Sequence, residues 1–358
     1  MGSAMISATL RAFGQSAPGR PLEMLELPDP RPLGETEVEI RVEHCSVCHS
    51  DVHLLDGDWG EITRPLVPGH EVVGHVVRAG SQAKTWGSRP NDPQGWAFGP
   101  RPISEGALVG LGWQAGACGA CGACRSEREH LCTGGKVRTC MGRPGGFADR
   151  VRCDARFCFE LPTDLDPTTA APLLCAGLTV FSPLERLGVR AGSRVGIVGV
   201  GGLGHLAVRF ASALGASVIA FDPDRSKKEL ALSLGAADLV DARGPLPRGV
   251  VDLLLVTTHA TLDWNAWMGA LDLEGTLCLV GIPGAPLTLS ADPLLDEQKR
   301  VTGSVIGSTK TMRRMLAFAA EHRIAPIVER MPMSSANEAI ARVREGRARM
   351  RIVLDRLG

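Results

Sequence analysis

The chain has 358 residues, more than one hydrophobic core ordinarily serves, so two domains are expected. Its 39 basic and 39 acidic side chains cancel at pH 7, which excludes a general basic surface for nucleic acid or membrane. With 44% hydrophobic and 22% charged residues, no apolar run of about twenty residues and no basic-then-apolar start, it reads as an ordinary globular protein, cytoplasmic by default.

Met1-Gly-Ser-Ala-Met5 reads as an appended tag before a native start at Met5. Alternating apolar and polar residues predict short antiparallel strands over 22–27 and 38–42. Then comes Cys45-Ser-Val-Cys48-His49-Ser50-Asp51-Val-His53, whose end reads as a first helical turn. It is answered by Pro68-Gly69-His70-Glu71 and a strand over 72–77. Thiolate, imidazole and carboxylate are the ligands of zinc, and a catalytic zinc has three of them with a fourth position open. Cys48 and His70 are two candidates, and a third must come from farther along the chain.

Residues 85–103 are rich in Gly and Pro and carry Trp86, Trp96 and Phe98, which predicts a long loop. An insertion with no role in chemistry is the plainer reading of it. A strand over 108–113 leads into Cys118-x-x-Cys121-x-x-Cys124-x7-Cys132. Four thiols so spaced close a tetrahedral structural zinc site with no position left for substrate. A nucleic-acid ribbon would pair two separated knuckles in a basic surround. Disulfides need an oxidising compartment, and an iron–sulfur cluster finds no use elsewhere in the chain.

Strands are predicted over 145–148 and 151–158, then a helix over 167–187 with Leu173, Leu174, Leu178 and Phe181 at helical spacing. Cys175 lies in that helix. Alone it is a small core residue, and beside Cys48 and His70 it is the natural third soft ligand. From Arg194 the pattern changes. A buried strand over 195–198 runs into Gly199-Val-Gly201-Gly202-Leu203-Gly204, then a helix over 205–214 and a strand over 218–221 ending at Asp222. Glycines at these places allow a tight turn, close approach to a pyrophosphate, and helix–strand packing, and the helix N-terminus favours the anion. Helices follow at 226–234 and 262–271, and strands at 251–256, 276–281, 287–290 and 301–303. Helices over 311–321 and 335–344 and a last strand over 351–355, returning to the first domain, complete the chain. The alternation predicts an α/β protein with a doubly wound parallel sheet.

Taken together, the chain resembles the zinc-dependent medium-chain alcohol dehydrogenases, most of all the cinnamyl-alcohol-dehydrogenase-like aldehyde reductases. The resemblance covers nearly the whole sequence. It is carried by Cys48-His-Ser-Asp-x-x-His53, Pro-Gly-His70-Glu71, Gly-x-Gly-Trp113-Gln, the four-Cys run, Leu174-Cys175-Ala-Gly-Leu-Thr-Val, Gly-Val-Gly-Gly-Leu-Gly204-His and Gly303-Ser-x-x-Gly-Ser308. It implies a GroES-like, β-rich catalytic domain over 6–170 and 308–358, with a structural zinc lobe at about 115–135, and a Rossmann dinucleotide-binding domain over 171–307.

The resemblance also implies roles. Cys48, His70 and Cys175 would hold a catalytic zinc, with Glu71 as an alternating ligand and Cys45 outside the set. Cys118, Cys121, Cys124 and Cys132 would hold the structural zinc, making two zinc ions per chain. Ser50 would adjoin the substrate oxygen and His53 would relay its proton to solvent. His49, Thr179, Gly199, Gly201, Gly202, Leu203, Gly204, Asp222, Arg225 and Lys227 would bind the cofactor, and Trp59 and Trp113 would wall the pocket. The implied chemistry is hydride transfer between a nicotinamide and an aryl or medium-chain aldehyde or primary alcohol. Zinc is its Lewis acid, and Ser50 and His53 form its proton path. Asp222 favours NAD over NADP, since a carboxylate there opposes a 2′-phosphate.

A homodimer through the cofactor domains is the family expectation. The sequence departs from the family at the 85–103 insertion and in a short Cys132–Gly145 segment that opens the pocket edge. Two alternatives stay open: reduction of an imine or enone on the same fold, and a non-catalytic dinucleotide- or zinc-binding protein.

Overall fold

A computed structural model describes residues 9–29, 31–84 and 102–357. The Met1–Met5 start and nearly all of the predicted 85–103 loop, with Trp86, Trp96 and Phe98, lie outside the described residues. Two units divide the chain. One comprises Met1–Cys175, Ser308–Ala317 and Ala325–Gly358; the other comprises Ala176–Gly307 and Phe318–Ile324.

In the first unit everything is built around the strand Glu37–Val47. Val38, Ile40 and Val42 alternate into the core at 1% exposure or less, as the pleat requires. One edge pairs antiparallel with Val72–Ala79, in a register that sets Cys45 opposite Val72. The other edge is shared: Arg150–Asp154 covers its first half and Arg351–Asp355 its second. The strand is longer than the predicted 38–42 and carries Cys45 and Ser46 inside the sheet. The last strand does return to this sheet, and a parallel neighbour that the sequence did not betray, Val328–Pro332, lies beside it. That neighbour is an edge strand with two charges, a proline and no fully buried residue, so it shows no clean alternation.

The second unit holds six parallel strands. In spatial order they are Asp238–Asp241, Ser217–Asp222, Arg194–Val198, Val251–Val256, Leu271–Leu279 and Arg300–Gly303. Asp238–Asp241 was hidden by its acidic ends and its edge position. Residues 287–290 form no strand. The predicted 262–271 helix is Trp264–Ala270, because Asp263 caps it through the amides of Asn265 and Ala266 (3.1 and 3.2 Å). The next strand then begins at Leu271.

The segment Pro167–Arg186 is helical throughout, with Asp166 as N-cap and Pro167 in the first turn. It is long and apolar enough to cross a membrane, but 89% of its most apolar window is buried inside the protein, which makes it a core helix. Leu173–Gly177, directly after Pro172, is wound as a π-turn.

Candidate active site

Cys48 follows the central strand and is the N-cap of the helix His49–Asp56, with extended backbone (φ −110°, ψ 153°). The Asp51 carboxylate closes that helix start by accepting the Cys48 amide at 3.0 Å. It also accepts the Gly69 amide at 2.8 Å and Nδ1–H of His70 at 3.0 Å. One fully buried carboxylate therefore ties the Cys48 turn to the Pro68–Glu71 turn. Gly69 has φ +98°, and a Cβ there would stand 2.8 Å from Cys45 Sγ, so only glycine turns the chain at this point.

With Nδ1 committed to Asp51, Nε2 of His70 is buried with no hydrogen-bond partner among the described residues. It faces a ready-made donor set. Ligand atoms of Cys48, His70, Glu71 and Cys175 all lie within 4.8 Å of one another, and all four residues are buried. Cys175 reaches the set from the π-turn, a departure from α-geometry that recurs at functional sites. Contact with Cys175 pulls the Cys48 thiol well below its ordinary range and pushes Cys175 well above its own. Burial works against a charged His70, but Asp51, Cys175 and Cys140 together outweigh it and raise the ring well above its usual value. An orphaned imidazole nitrogen among two thiols and a carboxylate fits a zinc ion with three protein ligands and an open position. Cys45 stays outside: its buried thiol turns to the Ser46 carbonyl, and burial pushes it well up.

Two residues at this site had no signal in the sequence. Arg351 opens the last strand and forms a buried, two-oxygen ion pair with Glu71, while its guanidinium also lies 3.3 Å from Ser46 Oγ. Burial pushes the Glu71 carboxyl up to about 7, with Arg351 opposing the rise. Only the pairing of Arg351–Asp355 with Glu37–Val47 brings this arginine to Glu71. Cys140, the second, places its sulfur beside Asp51 and His70 and is fully buried.

Ser50 and His53 lie on the helix that Cys48 begins. His49 and His53 have ring centroids 4.9 Å apart, and His53 stacks on Trp59 at 5.2 Å. Trp59 meets Trp113 edge-on at 5.8 Å, and Trp113 meets His70 edge-on at 4.7 Å. An aromatic wall thus runs from the candidate relay histidine to the candidate metal ligand. Both tryptophans are partly buried and also pack on the core, so each serves the fold as well.

The four cysteines of the lobe converge too. Cys118–Cys124 and Cys121–Cys132 sulfur atoms are 3.9 Å apart, and Cys118–Cys132 are 3.5 Å apart. Thiolates at about 2.3 Å from a tetrahedral zinc stand about 3.8 Å from each other, so the spacing fits that ion. Amides of Ala120 and Cys121 point at Cys118 Sγ (3.4 and 3.3 Å), which favours its thiolate and lowers it. Glu129 of the same lobe accepts the Thr309 amide, tying the lobe to the start of the helix Thr309–Glu321.

In the second unit Gly199, Gly201, Gly202, Leu203 and Gly204 join the strand Arg194–Val198 to the helix Gly204–Ala213. A Cβ on Gly204 would stand 1.7 Å from the Gly199 carbonyl oxygen, so the helix can approach only through glycine. A Cβ on Gly201 would meet nothing within 4 Å, which leaves the loop open to a large anion. Asp222 ends the neighbouring strand and is buried. Its Oδ2 accepts the Val200 amide at 2.7 Å and Nζ of Lys227 at 3.1 Å. Arg225 and Lys227 occupy the short 3₁₀ turn that follows, and Thr179 is buried in the helix Leu178–Arg186.

Residues 34–163 match the family model for the alcohol dehydrogenase GroES-like domain, and residues 202–321 match that for zinc-binding dehydrogenase. The chain is 40% identical to aldehyde reductase AdhA of Synechocystis sp. over 91% of its own length and 93% of that protein. Its fold is similar to that of a cinnamyl alcohol dehydrogenase of Sorghum bicolor (TM-score 0.86, 31% identity, 97% of each chain). It is equally similar to that of a Helicobacter pylori enzyme solved with NADP(H) (TM-score 0.86, 28% identity, 97% and 98% of the two chains).

Proposed function

The chain belongs to the zinc-binding alcohol dehydrogenases of the medium-chain family, and from that premise we propose that it is a cytoplasmic, homodimeric aldehyde reductase working at the Cys48–His70–Cys175 site. It catalyses alcohol/aldehyde oxidoreduction with a nicotinamide cofactor. The observation that carries the reading is the orphaned His70 Nε2 facing two buried thiols. Zinc held there would polarise a carbonyl as a Lewis acid, and the nicotinamide would supply hydride.

The chain's own residues do the rest. Asp51 fixes the His70 ring so that only Nε2 is offered to a ligand. Ser50 donates the proton that the reduced oxygen needs, and His53, at the exposed end of the same helix, restores it from solvent. Trp113 and Trp59 shield the site from water and offer flat apolar surface, which favours an aryl or medium-chain aldehyde. Glu71, balanced by Arg351, is the carboxylate able to exchange into the zinc shell. Asp222, buried at the end of its strand, favours NAD, since a carboxylate there would oppose the extra phosphate of NADP.

The test is oxidation of NADH and NADPH, followed by nicotinamide absorbance, against aliphatic and aromatic aldehydes before and after chelator treatment. Faster turnover with NADH, abolished by metal removal and restored by zinc, is the expected result. Turnover that survives complete loss of zinc would overturn the mechanism, and a preference for NADPH would overturn the role given to Asp222.

A further inference from the structure

We propose that Glu129 is a positioning residue for the catalytic metal site: it is the strut through which the four-cysteine lobe holds Trp113 and Leu174–Cys175 in place. The inference rests on the zinc reading of Cys48, His70 and Cys175 given above. Glu129 opens the 3₁₀ turn that leads into Cys132, and its carbonyl oxygen accepts the Cys132 amide at 3.0 Å. The same oxygen accepts Nε2–H of Gln114 at 2.9 Å, and Gln114 directly follows Trp113. The Glu129 carboxylate, buried, accepts the amide of Thr309, the first residue of the helix Thr309–Glu321. One residue of the lobe is thus tied both to the pocket wall and to a helix start.

The helix carries the connection onward. Ser308 caps it, its Oγ accepting the Thr311 amide at 3.1 Å, and the Glu129 carboxylate adds negative charge at the positive end of the helix. Met312, one turn in and buried, lies against Gly112. A Cβ on Gly112 would stand 3.2 Å from Met312 Cε and would run into the Leu174 carbonyl, so both come close only because glycine is there. Gly112 precedes Trp113, and Leu174 precedes Cys175. Every residue on this path belongs to the first unit. Metal ligands must keep their distances to within about 0.2 Å, so a small shift of Leu174 is enough to weaken the hold of Cys175. Glu127 also reaches the helix, through Lys310 at 2.9 Å, but both side chains are largely exposed and such a pair contributes little.

Cobalt(II) exchanged into the Cys48–His70–Cys175 site, with zinc kept in the lobe, reports ligand geometry in its visible bands. The variants are Glu129→Ala, Glu129→Gln, Thr309→Pro, the Glu129→Ala/Thr309→Pro double variant and Glu127→Ala. Thr309→Pro removes the donating amide without touching the lobe, and proline suits the first position of a helix. Glu129→Ala is expected to shift the cobalt bands and to lower cobalt affinity about tenfold against a competing chelator, the low end for residues that support a metal ligand. Glu129→Gln, which keeps an acceptor oxygen, should stay within about threefold of the parent, since only the charge assistance is lost. Thr309→Pro should match Glu129→Ala, the double variant should be no worse than either alone, and Glu127→Ala should behave as the parent.

Hydrogen exchange at the Thr309 amide should quicken in Glu129→Ala, a readout independent of the metal. Parent-like bands and affinity in Glu129→Ala and Thr309→Pro, a Gln variant as poor as the Ala variant, losses that multiply in the double variant, or an equal loss in Glu127→Ala would each overturn the proposal. A parent chain that takes up no metal at Cys48, His70 and Cys175 would overturn the zinc reading itself, and the hydrogen exchange separates that failure from failure of the Glu129–Thr309 contact.

Discussion

Asp51 shows how much one side chain can organise. Its carboxylate, with no exposed surface, receives the amides of Cys48 and Gly69 and Nδ1 of His70. Two turns that carry two candidate ligands are therefore positioned by the same two oxygen atoms. Replacing Asp51 with Asn keeps the shape but offers one acceptor oxygen and turns an NH₂ toward groups that are themselves donors. The expected result for Asp51→Asn is a ten- to hundredfold (order-of-magnitude) loss of affinity for the zinc at His70, with the four-cysteine zinc retained. Metal analysis after titration with a competing chelator measures this. Two zinc ions held as tightly as in the parent protein would show that His70 is oriented without Asp51.

Elements carry a different kind of information, seen best where the strand Glu37–Val47 meets its neighbours. Glu39, 2% exposed, pairs with Arg78 of the strand Val72–Ala79 and with Arg152 of Arg150–Asp154, each within 2.8 Å. Burial pushes its carboxyl up, but the two guanidiniums outweigh burial and leave it below the ordinary value. Because the folded value is depressed, the stabilisation is present above the unfolded value of about 4.3 and is lost as pH falls through the lower, folded one. Glu39→Gln should therefore cost about 3 kcal/mol at neutral pH, since it strands a buried arginine, and should flatten the acid limb of stability. Urea unfolding between pH 3 and pH 7 decides it; a variant curve parallel to the parent's would mean that this carboxylate does not titrate with folding.

The same strands explain what was legible in the sequence. Motifs whose residues are close in the chain, such as Cys48–His53, Cys118–Cys132 and Gly199–Gly204, declare their chemistry by spacing. So did Val251–Val256 and Arg351–Asp355, apolar strands whose bounds match the sequence reading. Arg351 as partner of Glu71, Asp58 as partner of His53, and the edge strands Asp238–Asp241 and Val328–Pro332 were not legible. The first depends on a register between distant strands, the second on a left-handed cap, and the edge strands on pairing that leaves charged residues outside.

At the scale of the whole molecule the question is what covers the open edge of the parallel sheet. Arg300–Gly303 is the last strand of its sheet, with no partner on its outer side among the described residues. Such an edge invites pairing with another chain unless it is blunted by charge, proline or a covering element. Charge is present there, since Arg300 is exposed and the Arg186 guanidinium donates to the Gly303 carbonyl at 3.1 Å, but exposed apolar residues also occur over 282–305: Ile282 is 61% exposed, Leu295 73% and Val305 48%. Exposed apolar side chains near a sheet edge would suit the homodimer proposed above, in which a two-fold axis would let each copy cover the other's with the same residues. The protein should therefore sediment as a dimer at micromolar concentration, and Val305→Lys with Leu295→Lys should yield monomers whose folded core is intact by circular dichroism. A parent chain that sediments as a monomer would remove the homodimer, and a lysine variant that still dimerises would move the interface away from this edge.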